Sequence, residues 1–150
     1  MRKLLPLLLL PFLALNRAAA ADRPGPVETV AAFHAALAAG DRDAAARLLS
    51  ADVVIYEQGS VESSRQEYAS EHLGADIEFS RATKRTVVKQ AHGGSGATAW
   101  VVTEAETRGS FHGKPVAHRS LETMLLSRTG EGWRIVHIHW SSAALPPPAP

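Results

Sequence analysis

The chain contains no cysteine. That absence excludes a disulfide framework, thiolate chemistry and lipid attachment through sulfur. Charge of one sign is also missing: 16 Lys and Arg stand against 15 Asp and Glu, a formal net charge of +1. A nucleic-acid binder needs a basic face to meet phosphates, and this balance supplies none. There is no internal repeat. The single glycine-rich stretch, His92-Gly93-Gly94-Ser95-Gly96, joins two strand-like segments instead of opening a helix, so it is not a phosphate loop. The only long apolar run, Leu4 to Leu15, is interrupted by Pro6 and Pro11 and is too short to remain as a spanning helix.

That run reads as an export signal. Arg2 and Lys3 precede it, and Ala18 to Ala21 offer small residues for cleavage. Residues 1–21 are assigned to the signal peptide, residues 22–142 to one domain and residues 143–150, rich in proline, to a disordered tail. Cleavage after Ala20 or Ala21 removes three cations and takes the charge from +1 to −2. The expected location is periplasmic or secreted, without a membrane anchor after cleavage. A domain of this size buries enough apolar surface to fold without crosslinks.

The domain begins with helical patterning. Val30, Phe33 and Leu37 recur at helical spacing between Pro26, suited to a first turn, and Gly40, suited to a stop. His34 sits beside that stripe and reads as a partly buried, hydrogen-bonded histidine. Asp41 is placed to cap a second, shorter helix. Residues 53–59 read as a strand ended by Gly59. Ser64 and Glu67 have capping-box spacing at the head of a third helical region, in which Tyr68, His72 and Asp76 recur every four residues and Gly74 marks an interruption. Long strand-like segments joined by hairpin-length turns follow. Helices early and strands late predict an α+β fold, with three N-terminal helices packed on an antiparallel sheet.

Two stretches carry a family resemblance: "AAFHAALAAGDRDAAARLLSADVVIYEQG" and "SLETMLLSRTGEGWRIVHIHWSS". The chain resembles the NTF2-like superfamily, in its SnoaL-like and DUF4440-like branch, over roughly residues 26 to 142. The second stretch is also similar to the association domain of calcium/calmodulin-dependent protein kinase, through Ser120, Glu122, Thr123, Trp133, Val136, His137, His139 and Ser141. The resemblance implies a cone, a strongly bent antiparallel sheet wrapped around helices, with a pocket at its open end and a homodimer formed sheet to sheet. The superfamily holds isomerases, cyclases, dehydratases, binding modules and assembly domains, so it does not name a reaction.

The last strand alternates Trp133, Ile135, His137 and His139 against Arg134, Val136, Ile138 and Trp140. A strict period of two puts both imidazoles on one side of the strand; the resemblance implies that this side lines the cone and that Val136, Ile138 and Trp140 form an outer dimer patch. Three site readings follow. In the first, a small organic ligand is bound by Tyr56, Glu57, His72, Trp100, His118, His137 and His139, with Tyr56 and Trp100 as walls and Glu104 and Glu106 as further strand carboxylates. In the second, an isomerase, cyclase or lyase uses a histidine–carboxylate pair drawn from His139, His118 and Glu122. In the third, His118, His137 and His139 form a weak metal set. No cofactor is expected. A structural association module, with hydrogen-bonded histidines and no ligand, is the remaining reading.

Overall fold

The computed structural model describes residues 23–146. The expected signal peptide and the end of the tail lie outside them. Helix α1 spans Pro26–Ala39 and buries Val30, Phe33 and Leu37. It stops at Gly40, whose φ of 78° is open to glycine at little cost. The Gly40 and Asp41 N–H groups bond back to Leu37 and Ala36 at 3.1 and 2.9 Å, closing the helix end. Helix α2 spans Arg42–Leu48, and Asp41 caps it by accepting from the Ala44 N–H at 2.9 Å.

Strand β1 (Leu49–Glu57) and the three-residue β2 (Ser60–Glu62) come next. The third helical region is two helices, α3 (Arg65–Glu71) and α4 (Leu73–Ala82), which meet at His72 beside Gly74. Ser64 caps α3 through the Glu67 N–H at 3.1 Å, while the Glu67 carboxylate accepts from the Ser63 N–H at 2.7 Å. Long strands β3 (Thr83–Ser95), β4 (Thr98–Phe111), β5 (Lys114–Thr129) and β6 (Gly132–Ala144) complete the fold. Ala143 and Ala144, expected in the tail, continue β6 beside Arg119 and His118.

The six strands form one curled sheet in the order β2-β1-β6-β5-β4-β3. The expected antiparallel sheet is mixed, because β1 pairs with β6 in parallel. Four helices, not three, fill its concave side among the described residues. Phe33, Leu49, Val53, Ile55, Met124 and Ile138 are fully buried between the two layers.

One irregularity in β6 decides where the site lies. Leu126 pairs with Ile135 and Leu125 with His137, so Val136 is an extra residue in the ladder. Before it, Ile135 points into the core, as its spacing predicts. Beyond it every side chain changes face. Ile138 is fully buried, Trp140 turns inward, and His137 and His139 face out. The outer patch expected from Val136, Ile138 and Trp140 therefore does not form.

The phase of β6 has a simple test. Ile138→Ala empties a closed core position and is expected to cost about 2–5 kcal/mol. His139→Ala, on the exposed side, is expected to change stability by no more than about 0.5 kcal/mol. Urea denaturation of the two variants gives both values.

Candidate functional site

A cavity of about 360 Å³ opens between α1, α4 and the concave face of the sheet. Inward residues of β4 and β5 form its floor: Thr107 pairs with His118, and Glu122 pairs with Thr103. Phe79 from α4 and Phe111 from β4 meet edge to face at 5.3 Å and close one side. Apolar surface dominates the lining, and the polar groups are few and grouped. This is the composition of a small-molecule pocket.

Glu122 is the centre of the first group. Its side chain is 3% exposed. His34 Nε2 lies 2.7 Å from Oε2, and the Trp140 indole N–H donates to the same oxygen at 2.7 Å. Arg85 reaches Oε1 at 3.4 Å. Burial pushes the Glu122 carboxyl up. The His34 hydrogen bond and charge, Arg85 and the Trp140 bond outweigh it and hold the group below its ordinary 4.5. Glu122 is therefore an ionised acceptor that fixes the His34 ring and requires a proton on its Nε2. The ring's remaining nitrogen is Nδ1. Trp140 also stacks on Phe33 at 6.3 Å, which anchors the indole that holds Glu122.

The second group behaves in the opposite way. The Asp76 carboxylate accepts from the Tyr68 hydroxyl at 2.5 Å. Burial raises Asp76 above its ordinary 3.8, against the lowering effect of the Tyr68 bond and of His72 and His34. Glu57 is also raised, first by burial and then by the charge of Asp76. Burial and the Asp76 charge likewise push the Tyr68 phenol far up, so it remains a donor. Asp76 and Glu57 line the same cavity as Glu122. One pocket thus holds an ionised carboxylate and two carboxyl groups with a heightened hold on the proton.

These shifts have opposite signs in stability. Glu122's contribution is present above 4.5 and is lost as pH falls through its lowered folded value. A raised Asp76 favours the fold at low pH, and that benefit is lost as pH rises through its folded value. Asp76→Asn is therefore expected to raise the Tm at pH 8 and leave it unchanged at pH 3. Calorimetry across that range checks the sign.

The structure divides the residues singled out from sequence. Glu57, His118 and Glu122 line the cavity. Tyr56, Trp100, His137 and His139 lie instead on the outer face, where Tyr56 meets the His137 and His139 rings edge to face at 5.1 and 6.2 Å. His137 Nδ1 bonds the Val54 carbonyl at 2.8 Å. Tyr56 and Trp100 are 45% and 41% exposed, so they are not walls of the pocket. Glu104 and Glu106 pair with Arg119 and Arg108 at 3.3 and 3.0 Å, away from the cavity. His72, at the α3–α4 junction, turns to the buried Glu62. His118 pairs across the ladder with Ala144, not with a residue near His139. The proposed metal set is split between two faces, and no cluster of three ligating side chains occurs among the described residues.

Sequence reasoning missed His34, Asp76, Arg85 and Trp140 as one assembly. The hydrogen-bonded reading of His34 is correct, but its partner lies 88 residues away. Only the recurrence of Tyr68, His72 and Asp76 every four residues carried a signal, and Tyr68 and Asp76 do meet although they lie on separate helices.

Residues 27–146 match the family model described as the SnoaL-like domain. The chain belongs to the SnoaL-like family. This SnoaL-like domain is similar to a solved candidate ketosteroid isomerase from Shewanella frigidimarina, with 34% identity and a TM-score of 0.73, covering 75% of this chain and 91% of that one. It shares its fold with a candidate dehydratase of the NTF2-like family from Streptomyces avermitilis, at 21% identity and TM-score 0.67, over 78% of this chain and 92% of that one. The S. rosetta CaMKII hub has the same fold, at 22% identity and TM-score 0.66, over 80% and 98% of the two chains. No curated protein sequence matches the SnoaL-like chain.

Proposed function

We propose that this SnoaL-like domain binds a small, mostly apolar organic molecule in its cone and moves a proton on it. One observation carries this reading: carboxyl groups pushed in opposite directions face a single cavity. Environments that separate the titration of neighbouring acids are how one pocket runs acid and base steps together. In this reading Asp76 exchanges the proton with the substrate, and Tyr68 steadies Asp76. Glu122 positions His34, which serves as the second proton-transfer group. The likeness to the Shewanella protein favours a shift of a double bond next to a carbonyl, in which a proton leaves one carbon and returns to another.

The test is the conversion of a β,γ-unsaturated ketosteroid to its conjugated isomer, read by the new enone absorbance. The domain should exceed the buffer rate. Asp76→Asn should lose about 100-fold or more while keeping its circular dichroism. A wild-type rate equal to buffer, with no change in tryptophan fluorescence on adding the steroid, would contradict the reading.

Two further parts of the proposal concern partners and place. The outer face exposes Tyr56, Trp100, Leu121 and Leu125, a neighbouring apolar set suited to a homodimer. Trp100→Glu with Leu125→Glu should then shift sedimentation to monomer; an undisturbed dimer would put the interface elsewhere. Export with cleavage predicts a native N-terminus at Ala21 or Asp22, and N-terminal sequencing that begins at Met1 would reject it.

A further inference from the structure

The inner face of the sheet carries its polar groups in rows. β4 pairs with β5 without a shift from Thr98 to Phe111, and β5 with β6 without one from His118 to Leu125. Side chains two residues apart on these stretches therefore share a face. Glu57, Trp140 and Glu122 form one row. Ser142 and Ser120 form the next. His118 and Thr107 form a third, which Arg85 of β3 extends. All of them line the main cavity. From Glu122 to His118 the strand runs about 13 Å.

The rows differ in how far the protein itself satisfies them. Glu122 is engaged by His34, Trp140 and Arg85. Thr103, its neighbour on β4, meets Gln90 at 3.3 Å. Ser120 lies 3.4 Å from the Ala105 carbonyl, a long contact. The Thr107 hydroxyl, the His118 ring and the Ser142 hydroxyl have no such partner among the described residues. Thr107 is 6% exposed, so its hydroxyl looks into the cavity and not into bulk solvent. A nearly buried hydroxyl is costly to leave without an acceptor or donor.

We propose that Thr107, His118, Ser120 and Ser142 are a hydrogen-bonding shelf for a neutral oxygen, a hydroxyl or a carbonyl, at the end of the ligand opposite its reacting end. The inference rests on the reading of the cone as a small-molecule pocket, and it adds that the ligand is elongated, uncharged and polar at both ends. One end meets the row of Glu57 and Glu122, beside Asp76. The other meets the shelf, and the apolar body between them packs under Phe79. Hydroxyls and imidazoles both donate and accept, so the shelf suits an oxygen of either kind. A carboxylate suits it less, because Arg85 is already held by Glu122 and no lysine lines the cavity among the described residues. An apolar far end would cover Thr107 and leave its hydroxyl unmatched.

The full chain is titrated calorimetrically with a matched pair, 4,4′-dihydroxybiphenyl and 4-hydroxybiphenyl, which share a rigid apolar body and differ in one terminal hydroxyl. The diol should bind about fivefold more tightly, the gain of one net hydrogen bond. Thr107→Val keeps the shape of the side chain and removes its hydroxyl, and it should bring the two compounds to nearly equal affinity. Thr107→Ser should restore the preference, and His118→Phe should reduce it. Two compounds that bind the wild-type chain equally well overturn the shelf and leave the cone reading intact. A preference that survives both Thr107→Val and His118→Phe also overturns it. If neither compound binds, the cone reading fails and the shelf fails with it.

Discussion

Glu122→Ala is expected to destabilise the domain by about 3 kcal/mol and to abolish turnover. Three donors converge on this one carboxylate from α1, β3 and β6. Removing it leaves the Trp140 N–H, His34 and Arg85 without their partner in a site 3% exposed at the carboxylate. A buried donor left unmade costs about 1–3 kcal/mol, and an uncompensated charge costs more. Arg85 and His34 retain some access to water, which keeps the total near the low end of that sum. The fall in Tm should be about 10 °C for a domain of this size. Glu122→Gln, which can still accept from Trp140 or His34 but lacks the charge, should lose about half as much. If alanine and glutamine behaved alike and both were neutral, Glu122 would not be the centre of the pocket.

Deleting His139 is expected to cost several kcal/mol, whereas deleting Val136 is expected to leave the fold in place. Val136 is the extra residue of the ladder: without it Ile135 and His137 follow one another opposite Leu126 and Leu125, and Ile138 and Trp140 stay inside. His139 lies in the regular stretch, opposite Thr123. Its removal turns Trp140 to the outer face, and Glu122 loses its indole donor. Exposing that ring and leaving a buried carboxylate short of a donor costs several kcal/mol, against a total stability of about 5–15 kcal/mol for a domain. Urea denaturation reads the contrast: a Val136 deletion that unfolds, or a His139 deletion with an unchanged midpoint, would show that β6 has no such fixed phase.

The same bulge explains what could be read in advance. The α1 stripe, the Asp41 and Ser64 caps and the four-stranded meander follow from local rules, since each signal lies within a few residues of its partner. The parallel pairing of β1 with β6 is not local; it joins residues about 83 apart, such as Val54 and His137. The inner face of β6 was legible only as far as Ile135. Alternation from there puts His137 and His139 inside, and nothing in the surrounding residues marks Val136 as supernumerary. Glu57, His118 and Glu122 sit on regular strand stretches that line the cavity. Tyr56, one residue from Glu57, necessarily faces the other way.

His34 shows a different limit. A histidine beside an apolar helical stripe is ordinarily satisfied by a nearby acceptor, and this one is satisfied by Glu122, across the core. Helical spacing gives the direction of its side chain. It does not give the strand that waits there, because that depends on the curl of the whole sheet.

The account stands on His34 and Glu122 being joined inside the cone. Nuclear magnetic resonance of histidine-labelled protein reads this join directly, through long-range couplings in the imidazole ring. The His34 ring should carry a proton on Nε2, protected from solvent exchange, and that protection should vanish in Glu122→Ala while the signals of His139 stay in place. A His34 ring protonated only on Nδ1, with a spectrum indifferent to loss of Glu122, would contradict it.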